Sequence, residues 1–277
     1  MKPNAYDGWC ATCTVAVPAG TGRLTGAFGS RQVVCLAHVP VAPERGQHDG
    51  WFRLPLASLD FETTGVDPHA DRVVSYALLG PHGEDVVGLV DPGVEVPAAA
   101  SAVHGLTAES LRGSPGSFEA VSRIAAWVQS LADAGVGLVV YNAAYDLTML
   151  RAECERWGVL QPDWSRLLVV DPLVVDWSLH RGTLGSRTLG IACEYYGVRI
   201  ADAHDARCDA VAAREVAVEI GARHREVGEV TLEALVHHQR GWFGERADDW
   251  NAYARRAGRR VEDRAGWPLA VPLPQLV

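Results

Sequence analysis

The stretch Leu56–Gly65, LASLDFETTG, decides how this chain is to be read. Its first half is apolar and strand-like. It ends in two acids, Asp60 and Glu62, with only Phe61 between them. In a strand, residues i and i+2 point to one face, so both carboxylates project together from the strand's carboxyl end. Two bare carboxylates this close repel, and each raises the other's pKa. Something positive must hold them, and hard oxygen donors of this kind suit Mg²⁺ or Mn²⁺. The plainer reading is an exposed strand edge with two solvated acids, and this segment alone does not choose between the two.

Two later segments bear on the choice. In VVYNAAYDLTML, Asp146 falls just after a short apolar strand, in the first turn of a helix, with Asn142 at the junction. An acid there is also a good partner for the helix dipole. In AHDARCDAVAAREV, His204 precedes Asp209 by five residues. Asp209 falls on a helix whose apolar face is Ala210, Ala213, Val216 and Ala217, and Asp205 sits at that helix's start. Alone, His204 reads equally as a surface or capping histidine.

The surroundings are those of an α/β domain. LPLASLDFET, DRVVSYALLG and DVVGLVDPG read as three sequential strands, the last two joined by the turn PHGE, which suggests an antiparallel meander. Helical spacing follows in SFEAVSRIAAWVQSLADAG, with Ser117 as N-cap and Gly135 as stop. VGLVVYN is a central strand, AAYDLTMLRAECERWG a helix ending at Gly158, and LLVVDPLVVDWSL contains another strand. TLGIACEYYG is a helix with a glycine stop, and HDARCDAVAAREVAVEIGARHRE a long alanine-rich one. The expectation is a mixed five-stranded sheet flanked by helices.

The 277 residues are enough for one sizeable core with appendages, and 48% hydrophobic and 21% charged residues are ordinary for a globular protein. No apolar run reaches membrane-span length, and the start MKPNAYDGWCATC has no secretory pattern, so a cytoplasmic protein with no membrane partner is expected. The net charge of −9 counts mildly against a nucleic-acid binder, although a carboxylate-rich site is built to be neutralised by cations. Lys2 is the single lysine; arginine supplies every other basic side chain. Composition divides the chain into residues 1–50, 51–226 and 227–277.

The ordered set DFETTG, NAAYD and HDARCD resembles the three exonuclease motifs of the DEDDh family, which has the ribonuclease H-like fold and includes the proofreading epsilon subunit of bacterial DNA polymerase III. AVHGLT (Ala102–Thr107), VVDPLVVDW and TLGIACEYYGV resemble the intervening segments. The resemblance covers about residues 54–222. Each motif is weak alone; the ordered set at these separations is specific.

That resemblance implies two-metal phosphodiester hydrolysis from the 3′ end, releasing nucleoside 5′-monophosphates. Asp60, Glu62 and Asp209 would hold one Mg²⁺ or Mn²⁺. Asp60 would bridge to a second, with Asp146 close by. His204 would be the general base, a task suited to a group whose ordinary pKa is about 6.5. Thr63 and Thr64 stand where relatives grip the terminal nucleotide, and Asn142 and His104 occupy positions that line the same pocket; Tyr145 reads as packing. The implied substrate is a single-stranded 3′ end, DNA before RNA, with proofreading or repair as the setting and a DNA polymerase subunit as a partner. No aromatic platform for the bases is evident. The competing classes are an inactive nucleic-acid- or polymerase-binding module on the same scaffold, and a phosphatase of small phosphates. An inactive descendant should have lost one of the five groups, and none is lost; the motif order argues against the phosphatase.

The flanks carry their own signals. Cys10, Cys13, Cys35 and His38 form two close pairs, CATC and CLAH, separated by 21 residues that look like a glycine-rich hairpin. This is the spacing of a small zinc ribbon with closed tetrahedral coordination, structural or docking in role. Cys154, Cys193 and Cys208 read as small buried hydrophobes. The C-terminal region reads as an amphipathic helix whose Leu232, Leu235, Trp242 and Tyr253 pack back on the middle domain. Its arginines 255, 256, 259 and 260 are expected to pair with Glu262 and Asp263.

Overall fold

A computed structural model describes residues 1–26 and 29–270. Residues 271–277, the end of the expected C-terminal extension, and Ala27 and Phe28, in the expected N-terminal hairpin, lie outside the described residues.

The N-terminal module is built from two short antiparallel ribbons. β1 (Gly8–Trp9) pairs with β2 (Ala16–Val17), and β3 (Gly22–Thr25) pairs with β4 (Gln32–Cys35). Among the described residues its core is Cys10, Val17 and Val34, with the edges of Cys13, Val33, Cys35 and Val39. So small an apolar cluster does not offset the chain entropy of ordering the module, and a metal would supply the rest.

The central sheet has five strands: β5 (Leu56–Thr63), β6 (Val73–Leu79), β7 (Asp85–Leu89), β8 (Gly137–Val139) and β9 (Leu168–Val170). Their spatial order is β7-β6-β5-β8-β9. The first three form the antiparallel meander, and β8 and β9 join parallel to β5. β5 is therefore the middle strand, buried on both faces, which is why it reads as a nearly continuous apolar run. Its alternate residues serve two layers. Ala57, Leu59 and Phe61 enter a core with α3 (Ser117–Ala134) and α4 (Ala143–Trp157). The other face meets α7 (Ala206–Arg223), with Ala206 and Ala210 packed on Ala77 and Leu79 of β6. Two short helices, α1 (Ala98–His104) and α2 (Ala108–Leu111), link the meander to α3.

Helix starts and stops follow local chemistry. Gly135 and Gly158 take left-handed backbone conformations at the ends of α3 and α4. Ser117 is the first helical residue of α3 and Gly116 its cap, one residue from the expected boundary. β9 runs through Asp171 straight into α5 (Pro172–Leu179), a helix absent from the reading of LLVVDPLVVDWSL. Asp171 caps it, its carboxylate accepting the Leu173 N–H, and Pro172 opens it, a position where a missing N–H costs nothing. α6 (Leu189–Tyr196) precedes α7, and the short α8 (Arg225–Gly228) follows it.

α9 (Leu232–Arg256) packs back as expected at Leu232, Leu235 and the half-buried Trp242, and adds Phe243 and Ala247 to the main core. Three expectations are corrected here. Tyr253 stays at the margin, with the Arg259 guanidinium 5.8 Å from its ring. Glu262 pairs with Arg246 at 2.7 Å, and Arg260 reaches Asp67 at 3.4 Å, so the basic run does not pair with Glu262 and Asp263. Cys154 and Cys193 are buried, but Cys208, in the first turn of α7, is half-exposed because that end of the helix opens to solvent.

Candidate active site

The five expected groups arrive from β5, α4, α7 and the turn that precedes α7. Asp60 and Glu62 project from the carboxyl end of β5, and the register against β6 shifts between Glu62 and Thr63. Such a bulge re-aims the chain at the edge of a site. Asp146 is the fourth residue of α4, buried, with Oδ1 accepting the Phe61 N–H at 3.2 Å. That bond fixes it beneath the backbone between the two β5 acids. Asp209 lies in the first turn of α7, where Asp205 caps the helix by accepting the Cys208 N–H. The chain reverses at His204, whose φ of 69° is left-handed, and its N–H meets Asp209 Oδ2 at 3.3 Å. Asn142, the cap of α4, is left-handed as well, with φ 64°. Two of the three left-handed residues other than glycine among the described residues thus belong to expected site positions, and strain of this kind collects at functional sites.

Ligand atoms of Glu62, His204 and Asp209 all lie within 4.8 Å of one another. Asp60 feels Asp146, Asp209 and Glu62 as like charges, after burial itself, and its carboxyl is held well above the usual carboxylate range. Burial likewise raises Asp146 and Asp209. The Glu62 carboxyl is pushed up to about 8, by burial first and by Asp209 and Asp205 second. Asp209 Oδ1 is buried with no hydrogen-bond partner among the described residues. A buried carboxylate oxygen without a donor, amid other acids, is a poor arrangement for a protein alone and a suitable one for divalent cations. Glu62 and Asp209, with Asp60 and Asp146 near enough to raise one another's pKa, are the oxygen donors that a divalent cation takes.

A stability consequence follows. Glu62 keeps its proton to higher pH in the folded chain than in the unfolded one. Between the ordinary carboxylate range and about pH 8 the folded state binds the extra proton, so stability falls as pH rises through that window. Chelator-treated protein is expected to melt at a lower temperature at pH 8 than at pH 6, with Mg²⁺ raising the midpoint more at pH 8. A melting temperature that rises from pH 6 to 8 in chelator contradicts the proposed repulsion.

The expected substrate residues are placed unequally. His104 Nδ1 accepts the Leu106 N–H at 3.1 Å, which puts the proton on Nε2, and Nε2 donates to the Thr63 carbonyl at 3.2 Å. His104 is thus a neutral brace for the strand end. Thr63 Oγ1 meets the Tyr145 hydroxyl at 2.6 Å and donates to the Gly65 carbonyl. Thr64 differs from expectation: its hydroxyl donates to Asp71 Oδ1 and accepts the Arg72 N–H, and its own N–H donates to the Arg72 carbonyl. Its side chain is buried in this loop lock rather than open to a substrate. The Asn142 carboxamide has no hydrogen-bond partner among the described residues and lines a cavity beside the site.

Sequence reasoning passed over two contributors. Tyr145 packs as expected, but its hydroxyl also ties Thr63 to Gly65. Asp171 is 1% exposed and accepts the N–H groups of Asn142 and Ala143 at 3.0 and 2.9 Å, fixing the start of α4. Its Asp-Pro pair opening a helix was the available signal.

Comparison with known proteins completes the picture. The RNase T exonuclease family model matches residues 58–217. The chain belongs to this exonuclease family. Among similar proteins, the PolC-type DNA polymerase III of Thermotoga maritima is 26% identical over 181 residues, 64% of this chain and 12% of that protein. A DNA polymerase III subunit epsilon-like protein of Rhodobacter capsulatus is 35% identical over 106 residues, 36% of this chain and 14% of that one. The crystal structure of E. coli Exonuclease I with a dA16 oligonucleotide shares the fold with a TM-score of 0.54 and 20% identity, over 67% of this chain and 43% of that one. This chain thus spans a minor part of each relative's length. The DEDDh resemblance and the mixed α/β sheet both hold. No helix among the described residues is long and apolar enough to cross a membrane.

The second cluster sits in the N-terminal module. Cys13 Sγ and Cys35 Sγ are 3.8 Å apart, Cys35 Sγ and His38 Nδ1 3.2 Å, and Cys10 Sγ and His38 Nδ1 3.7 Å. A tetrahedron of Zn–S bonds of about 2.3 Å has edges of about 3.8 Å. The Cys10 thiol is pulled down to about 5, chiefly by the Cys35 N–H. A thiolate there is the form that binds metal.

Proposed function

We propose that the chain is a divalent-metal-dependent 3′–5′ exonuclease that trims single-stranded ends, DNA before RNA, and releases nucleoside 5′-monophosphates. The observation that carries this is the convergence of Glu62, His204 and Asp209 within 4.8 Å, beside Asp60 and Asp146, around an unpartnered buried carboxylate oxygen. Asp60, Glu62, Asp146 and Asp209 would hold the ions. Bound ions supply a water of lowered pKa and neutralise charge on the departing 3′ oxygen. His204, exposed at the rim, takes the proton of the attacking water. Tyr145 and His104 keep the Thr63 end of β5 rigid, and Asn142 faces the terminal nucleotide. Thr64 acts through the loop that it locks.

The test is incubation with 5′-end-labelled single-stranded DNA and RNA in Mg²⁺ or Mn²⁺. A ladder shortening one nucleotide at a time from the 3′ end is expected, faster on DNA. Internal cuts, or no product with either cation, defeat the reading. The inactive-module alternative predicts binding without products. A role in proofreading or repair beside a DNA polymerase rests on the polymerase relatives. It is checked by co-purification with a polymerase subunit.

In the same reading residues 1–50 form a zinc module, 51–226 the nuclease domain and 227–277 an added helical segment. Metal analysis of the purified chain is expected to find about one zinc, lost in Cys13→Ser. Zinc-free protein prepared under reducing conditions without chelator contradicts the assignment.

A further inference from the structure

A cavity of about 320 Å³ lies against the candidate active site, and no sequence motif pointed to it. One wall comes from the second motif, Asn142 and Tyr145, and from His69 in the loop after β5. The other comes from α9 and the segment after it: Arg246, Trp250 and Arg260. That second wall lies beyond residues 58–217, the region matched to the exonuclease family. Tyr145 lines the cavity, and its hydroxyl reaches Thr63 at the end of β5.

The chemistry of the walls selects the occupant. Both arginines already have carboxylate partners, Arg246 with Glu262 at 2.7 Å and Arg260 with Asp67 at 3.4 Å. Asp263 adds a further acid to the lining. A phosphate gains little from guanidinium groups already neutralised and meets like charge besides. Trp250 and Tyr145 contribute aromatic rings to the lining, the Trp250 ring with the Tyr253 ring 5.6 Å from it, and Asn142 contributes an amide that carries both a donor and an acceptor. Those are the groups that hold a heterocyclic base, by stacking and by edge hydrogen bonds. The volume sits at the small end for ligand cavities, enough for one nucleoside.

The wall is also rigid. Trp250 Nε1 donates to the Arg260 carbonyl at 3.1 Å, and Asn251 exchanges two hydrogen bonds with the Glu262 backbone, at 2.8 and 2.7 Å. Trp267 anchors the same segment through Nε1 to Asp171 Oδ2 at 3.1 Å. A wall fixed before binding loses less entropy on contact.

We propose that this cavity is a base-binding subsite of the exonuclease, built jointly by α4 and the C-terminal segment, in which one base of the single strand stacks on Trp250 within reach of the Asn142 amide. This rests on the single-strand reading above. It assigns the platform for bases that the nuclease motifs lack.

The experiment measures the dissociation constant of a labelled single-stranded DNA oligonucleotide in Ca²⁺ or chelator, beside the Mg²⁺-dependent ladder. With unaltered protein, removing one base near the 3′ end, at successive positions in a set of abasic oligonucleotides, should weaken binding at one position. Trp250→Ala should weaken binding of the intact strand about 5- to 150-fold, the range for losing one base–aromatic stack, and should erase the abasic effect. Trp250→Phe should keep most of the affinity and act as the folding control. Equal affinity for every abasic strand, or an unchanged constant in Trp250→Ala, overturns the subsite. If that happens while the ladder still forms, the nuclease reading stands and the subsite alone falls. If the unaltered protein neither binds single strands nor forms a ladder, both fall.

Discussion

Asp60→Asn is expected to abolish Mg²⁺-dependent mononucleotide release, by on the order of 10³-fold or more, the scale of removing preorganised charge stabilisation from a reacting centre. The substitution keeps the shape of the side chain and removes its charge. Asp60 is the acid most entangled with the rest, feeling Asp146, Asp209 and Glu62 at once. The same entanglement gives the prediction a second arm. Removing one member of a repelling cluster should leave the metal-free fold intact and raise its melting temperature, while the gain from added Mg²⁺ shrinks. Single-turnover assays on an end-labelled strand, with thermal melts in chelator and in Mg²⁺, measure both. Retained full activity in the folded variant would remove the metal assignment; lost activity with a collapsed melt would point to Asp60 as structural.

His204→Asn is expected to slow hydrolysis by about 10²–10⁴-fold while leaving the Mg²⁺-induced rise in melting temperature largely in place. Asparagine is preferred to alanine because position 204 is left-handed, with φ 69°, a conformation that asparagine tolerates better. Partial rescue by added imidazole separates a lost base from a distorted turn. A variant as fast as the parent would show that the proton leaves by another route.

Much of this was legible in the sequence because it depended on spacing within single elements. Two acids on one strand face, an acid in a helix's first turn and a histidine five residues before another acid all survive as local patterns. The meander and the glycine stops were legible for the same reason. What escaped depended on partners far along the chain. Thr64 looks like a substrate residue until Asp71 and Arg72 fold over it. Tyr145 looks like packing until its hydroxyl finds Thr63 and Gly65. The helix α5 was lost because its apolar residues continue directly from β9, so no change of period marks the boundary. The cavity shared with the C-terminal segment could not be foreseen, since its walls are about a hundred residues apart.

Asp171 carries a consequence of its own. One buried carboxylate accepts from the start of α4 and from Trp267, while its own N–H donates to Gln239 on α9. The far end of the polypeptide thereby holds the second motif in place. A proteolytic nick between residues 257 and 266 would free that tether, and the damage is expected to register as lost nuclease activity in a protein whose five proposed site residues were all still intact.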